Sequence, residues 1–237
     1  MTPEQLTEQL KQAMPSGLRS VVLYGSAAAG DHIAGQSDYN VLVVADRLGV
    51  AELDALAAPA RAWARAGYRP PLLFTPEQLA ASADSFPIEL LDIQRCHRIL
   101  FGDDPLAGVR VSPEHLRLEL ERELKAKLLA LREGYLLASG KPRRVVELLT
   151  SSLSAFLVLF RAALRLYQDD APMPKLDALQ ALAAHIGFGP EAFLTVQKLK
   201  EGSLKPRAVS AAALFETYLA TVEQVVGAVD RRLHPRS

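Results

Sequence analysis

The stretch Val21–Val44, VVLYGSAAAGDHIAGQSDYNVLVV, reads as two strands joined by a connection of small residues. Arg19–Tyr24, which enters this stretch, and DYNVLVVA at 38–45 are β-branched and aromatic, the side chains that suit a pleated, half-buried surface. The Gly- and Ala-rich segment between them belongs to neither strand, so the chain turns there. Gly25 has no side chain, which lets a phosphate approach the backbone closely, and the Ser26 hydroxyl with nearby amides can donate to its oxygens. Residues i and i+2 of a strand point to the same face, about 6–7 Å apart along the chain. Positions 38 and 40 therefore project side by side next to Gly25-Ser26, and they carry Asp38 and Asn40.

Outward from this stretch the first half alternates helix and strand. Thr2 is an N-cap with Pro3 at the first helical position, and Leu6, Leu10 and Met14 follow at helical spacing until Pro15–Gly17 stop them. Val50–Ala66 has a helical period, and Tyr68–Thr75 is expected as a third strand, on a sheet edge because of Pro70 and Pro71. Thr75-Pro76-Glu77 starts a helix, Pro87 starts another, and Arg98–Phe101 reads as a last strand before the turn Gly102–Pro105. Beyond Val111 no strand signal remains. Helices are expected over Glu114–Ser139, from Pro142 to about Tyr167, and over Leu176–Ile186, Pro190–Lys200 and Val209–Arg232. Leu148, Leu149, Leu153, Phe156, Leu157 and Phe160 form an apolar stripe typical of a core helix.

Composition narrows the function classes. The 237 residues are 49% hydrophobic, enough for a real core in one large or two modest domains. Twenty-seven basic residues balance 27 acidic ones, so no overall field gathers nucleic acid or an anionic membrane, and phosphate binding must be local. Cys96 is the single cysteine, which excludes an internal disulfide and a cysteine zinc cage and fits a cytoplasmic setting. The opening MTPEQLTEQLKQAM lacks a signal peptide's apolar stretch, and no long uninterrupted apolar run is present, so neither secretion nor membrane spanning is expected.

A strand ending in Gly25-Ser26, followed by a connection and then Ser37-Asp38 on a second strand, resembles the nucleotidyltransferase superfamily that includes DNA polymerase beta, kanamycin nucleotidyltransferase and the small antitoxin-type nucleotidyltransferases. FGDDPLAG at 101–108 is similar to the strand and turn that close this domain in bacterial members. The helical second half is similar to the kanamycin nucleotidyltransferase arrangement. The resemblance implies an α/β (α+β) architecture: a nucleotidyltransferase-like domain with a small mixed sheet over 1–108, then an α-helical bundle over 109–237. It implies transfer of a nucleoside monophosphate from an NTP, with Mg²⁺, to a hydroxyl of a small molecule or protein. Gly25, Ser26 and Ser37 would hold the nucleotide, and Asp38 and Asn40 would occupy the metal positions. Glu147 is the positional match to the general base that related enzymes draw from the helical domain.

Three departures bear on activity. The family pattern is Asp-x-Asp or Asp-x-Glu, and Asn40 offers a neutral oxygen where Mg²⁺ prefers an anionic one. Active members carry a third acid on the next core strand, whereas Tyr68–Thr75 has none, leaving Leu72 or Leu73 where one would sit. Ala27-Ala28-Ala29 stands where many relatives have an arginine or lysine. Transfer is thus expected to be attenuated or lost. The alternative is a catalytically silent module that binds a small ligand or a protein partner, antitoxin-like, with a homodimer among its forms. Glu89 and Asp92, at i and i+3 on one helix face, are candidates for supplying missing charge, against their plainer role as solvated or Arg95-paired side chains; Cys96 and His97 read as structural.

Overall fold

Thr2 and Gln5 open the first helix, α1 (Pro3–Ala13), with a reciprocal cap: the Gln5 amide N–H donates to Thr2 Oγ1 at 3.2 Å, and the Thr2 N–H donates to Gln5 Oε1 at 2.9 Å. Thr75 and Gln78 repeat the device on α3 (Pro76–Ala81). The chain, for which we have a computed structural model, is described over residues 1–25, 27–28, 39–168 and 174–232. It divides into two units, Met1–Ser112 and Pro113–Ser237.

In the first unit the described strands are β1 (Leu18–Tyr24), β2 (Asn40–Ala45), β3 (Leu72–Phe74) and β4 (His97–Gly102), in the sheet order β3-β2-β1-β4. β1 pairs antiparallel with β2 and β4, and β2 pairs parallel with β3, so the sheet is mixed. Helices cover both faces, and this explains why Val21–Leu23 of β1 and Val41–Ala45 of β2 are continuously apolar rather than alternating. Val21, Leu23, Val41, Val43 and Ala45 pack with Leu6 and Leu10 of α1 and with Leu56 and Trp63 of α2 (Val50–Arg65). Val22, Leu42 and Val44 pack on the other face with Leu79 of α3 and with Leu90 and Ile93 of α4 (Pro87–Arg95). Gly102 ends β4 at φ +76°, and a Cβ there would lie 1.8 Å from the Arg19 carbonyl oxygen, so only glycine closes this edge. The third strand is shorter than the sequence pattern predicts. Pro70 and Pro71 have no N–H to give a ladder, and pairing begins only at Leu72.

The second unit holds α5 (Pro113–Ala138), α6 (Pro142–Leu164), α7 (Lys175–Ile186), α8 (Glu191–Glu201) and α9 (Ala211–Arg231). α6 is long and apolar enough to cross a membrane by composition. Here it is a core helix: Leu149, Leu153, Phe156, Leu157 and Phe160 are buried, and α6 packs on α5, α7, α8 and α9. Phe156, Phe160, Phe193 and Tyr218 form its aromatic centre, with Phe193 and Tyr218 stacked at 4.1 Å. Burial drives the Tyr218 phenol far above its ordinary range, and its hydroxyl is 3.3 Å from Ser152 Oγ.

Glu121 ties α5 to itself and, through Lys125, to α9. It accepts from Lys125 and from the buried Arg117, the latter at 2.6 Å, while Lys125 reaches Asp230 at 3.3 Å. The Lys125 hydrogen bond is the largest influence, and with Arg117 it outweighs burial, lowering the carboxyl from 4.5 to about 2. A carboxyl lowered on folding stabilises above its unfolded pKa, and that contribution is lost as pH falls from 4.5 towards 2. Glu121→Gln should therefore flatten the acid limb of the melting temperature across that window, as read by circular dichroism. An acid limb identical to wild type would count against the assignment.

Candidate functional site

The pairing directions bring four strand ends together. Because β1 runs against β2 and β4, and β2 runs with β3, the C-terminal end of β1 meets the N-terminal ends of the other three along one edge. Tyr24 stands there, opposite Asn40 on one side and His97 on the other. Gly25 follows at φ +79°, in the left-handed region that glycine enters without strain. Its N–H donates to the Cys96 carbonyl at 3.1 Å, its carbonyl accepts from Ala28 N–H at 3.0 Å, and the Cys96 thiol lies 3.5 Å from that same oxygen. The turn after β1 is thus pinned to the start of β4.

Asn40 lies against this turn. A Cβ built on Gly25 would be 3.2 Å from Asn40 Nδ2, and the Asn40 amide makes no hydrogen bond to any described residue. Strand alternation puts Asn40 on the face of Leu42 and Val44, the α3/α4 face. Tyr39 turns to the opposite face, where its ring lies 6.0 Å from Trp63 and 5.0 Å from Tyr68. On β3, Leu72 pairs with Leu42 and Leu73 with Val43. Leu72 therefore shares the Asn40 face and is 40% exposed, whereas Leu73 packs into the Trp63 core.

Charge at this edge comes from Glu89, already a candidate from the sequence, and from Arg69, which the sequence does not point to. Burial pushes the Tyr24 phenol up; the Glu89 carboxylate adds to that push, and the Arg69 guanidinium opposes it. Glu89 is exposed on the first turn of α4, and Arg69 is exposed just before β3. His97 is committed to structure: its Nδ1 is 3.1 Å from the Ile93 carbonyl, and its Nε2 is 3.4 Å from Asp104 Oδ2, joining α4 to the turn after β4. Asp104 also accepts from Leu106 N–H at 2.9 Å.

Of the residues singled out by sequence, Gly25 and Asn40 meet at this edge, and the Glu89 carboxylate acts on Tyr24 there. Ser26, Ser37 and Asp38 lie outside the described residues. Glu147 belongs to the second unit, on α6, where it is exposed and accepts from Arg143 Nε at 3.1 Å. Among the described residues no three of His, Cys, Asp and Glu gather as metal ligands. The described side chains of the edge do not suit Mg²⁺. On the Asn40 face they present a neutral amide, a leucine and a phenol, with the Glu89 carboxylate as the one acid acting on that phenol, where the ion takes several anionic oxygens.

No protein-family model matches the chain, and no curated protein matches it by sequence. A solved structure does: the spectinomycin adenyltransferase AAD(9) from Enterococcus faecialis, crystallised with ATP and spectinomycin. It matches with a TM-score of 0.51 and 14% identity, over 98% of this chain and 98% of that one. The likeness is one of fold. In that shared fold a mixed sheet of four described strands precedes a run of helices, and Gly25 and Asn40 mark the edge where three strands begin and one ends.

Proposed function

We propose that this chain is a nucleotidyltransferase-like protein that binds an NTP at the Gly25 edge of its sheet, with nucleoside monophosphate transfer attenuated or lost. Gly25, with Ser26 and Ser37, seats the phosphates, and Asp38 is the surviving acid of the metal pair. A hydroxyl of a small molecule or a protein is the acceptor class of the ancestral reaction, and the setting is a reducing cytoplasm. The nucleotide assignment is supported by the shared fold with an adenyltransferase solved with ATP and spectinomycin.

The observation that carries the attenuated reading is Asn40. Its amide nitrogen, a donor, points at the Gly25 turn from the strand position where a second carboxylate would stand. Metal-assisted transfer depends on anionic ligands that hold the ions against the attacking and leaving oxygens. Losing one such ligand removes several kcal/mol of transition-state stabilisation, and each 1.4 kcal/mol is about tenfold in rate. Glu147, paired with Arg143 on its own helix, is the weaker part of the carried-over set.

Isothermal titration with each NTP, with and without Mg²⁺, tests the binding half. At least one NTP should bind below millimolar concentration, with affinity changing little when Mg²⁺ is withheld. Absence of binding by every nucleotide at millimolar concentration would end the reading. Rapid transfer of labelled nucleotide by the wild-type chain would end the attenuated half of it.

A further inference from the structure

We propose that Arg69 is the cation that meets the phosphates of the bound nucleotide, replacing the basic residue absent from the Ala27-Ala28 loop. This role rests on the nucleotide-binding function proposed for the Gly25 edge and names a residue for it.

The placement comes from topology. β3 runs parallel to β2, so the segment entering β3 reaches the same edge as Asn40 and Gly25. Arg69 is in that segment, three residues before the strand. Its backbone is anchored: Trp63, fully buried, donates its indole N–H to the Arg69 carbonyl at 2.9 Å, and Pro70 and Pro71 stiffen the backbone that leads into β3. The side chain remains uncommitted. Arg69 is exposed, and its guanidinium makes no hydrogen bond or ion pair with a described residue. Glu89, the acid that shares its neighbourhood around Tyr24, is not bonded to it.

Arg69 opposes the upward push on the Tyr24 phenol, and Tyr24 precedes Gly25 and pairs with Asn40. Two donor groups without partners among the described residues, the Asn40 amide and the Arg69 guanidinium, thus lie at one edge beside a glycine turn that admits close approach. Donors without acceptors suit an oligophosphate, and a guanidinium binds phosphate oxygens through two parallel hydrogen bonds.

The test uses the full chain and three probes: ATP, inorganic tripolyphosphate and adenosine. Arg69→Gln should weaken ATP and tripolyphosphate binding by about tenfold or more and leave adenosine unchanged, while Arg69→Lys keeps most of the affinity. Wild-type ATP affinity should also fall as salt rises, and fall less in Arg69→Gln. A folded Arg69→Gln that binds ATP as tightly as wild type overturns the role of Arg69 and leaves the nucleotide reading standing. Equal losses for all three probes overturn it too, because they indicate a structural role. A wild type that binds no nucleotide overturns both. Should Arg69→Gln fail to fold, salt-independent ATP binding by the wild type overturns the proposal.

Discussion

Trp63→Ala is expected to destabilise the first unit by about 3–5 kcal/mol, a large part of the roughly 5–15 kcal/mol that holds an ordinary domain folded. Trp63 is the single tryptophan, fully buried in the core that α1 and α2 form against the sheet. Its ring lies 4.5 Å from that of Tyr68, tilted against it, and 6.0 Å from that of Tyr39, so truncation empties the centre of an aromatic group rather than one wall. Removing the indole also takes the donor from the Arg69 carbonyl, which is 2.9 Å away, and frees the entry to β3. Trp63→Phe keeps most of the volume and loses only that donor, so it should cost about 1–2 kcal/mol beyond the ring difference. Hydrogen exchange of the β1 and β2 amides reads the unit directly, without relying on the fluorophore that is removed. Protection unchanged in Trp63→Ala would show that the core tolerates the cavity.

Much of this unit is legible in the sequence because its signals are local. The strand pair in Val21–Val44 and the caps at Thr2 and Thr75 follow from composition and spacing, and the structure has β1, β2, α1 and α3 there. The edge position of the third strand is legible from Pro70 and Pro71, and β3 is indeed outermost. Its length is not, since two prolines in a β-rich run shorten pairing by an amount that depends on the neighbouring register. α9 starts at Ala211 instead of Val209 because Ser210 caps it, with Oγ accepting from Ala213 N–H at 3.4 Å, after a 3₁₀ turn at Pro206–Ala208.

The candidate site is half legible, for a different reason. Gly25 and Asn40 carry their meaning in residue type, one lacking a side chain and one lacking a charge. Arg69 and Tyr24 carry theirs only in three dimensions. Nothing in RPPLLF says that β3 runs parallel to β2 and so delivers Arg69 to the Gly25 edge, and residues 24 and 69 are joined by pairing alone. The choice between Leu72 and Leu73 for the missing acid is of the same kind. It is a parity question, and the Leu42↔Leu72 register puts Leu72, not Leu73, on the Asn40 face.

That register makes the second large effect specific. Asn40→Asp combined with Leu72→Glu is expected to raise Mn²⁺ affinity at least tenfold and labelled-nucleotide transfer by about 100-fold or more, since each restored anionic ligand contributes on the order of a tenfold step or greater. Asn40 and Leu72 share the α3/α4 face, on adjacent parallel strands, with their positions offset by two residues in register. A glutamate spans that offset better than an aspartate, and the 40% exposure of Leu72 lets a charge stand there without burial. Leu73→Glu is the matched control. It turns a carboxylate into the Trp63 core, so it should lower stability and leave metal affinity at the wild-type level. Manganese titration and transfer of α-labelled ATP to a panel of hydroxyl acceptors read the two effects separately. If the wild type binds Mn²⁺ and transfers nucleotide as well as the double variant, Asn40 is no handicap and the attenuated reading falls. If Leu73→Glu gains metal while Leu72→Glu does not, the assignment of the two faces is wrong.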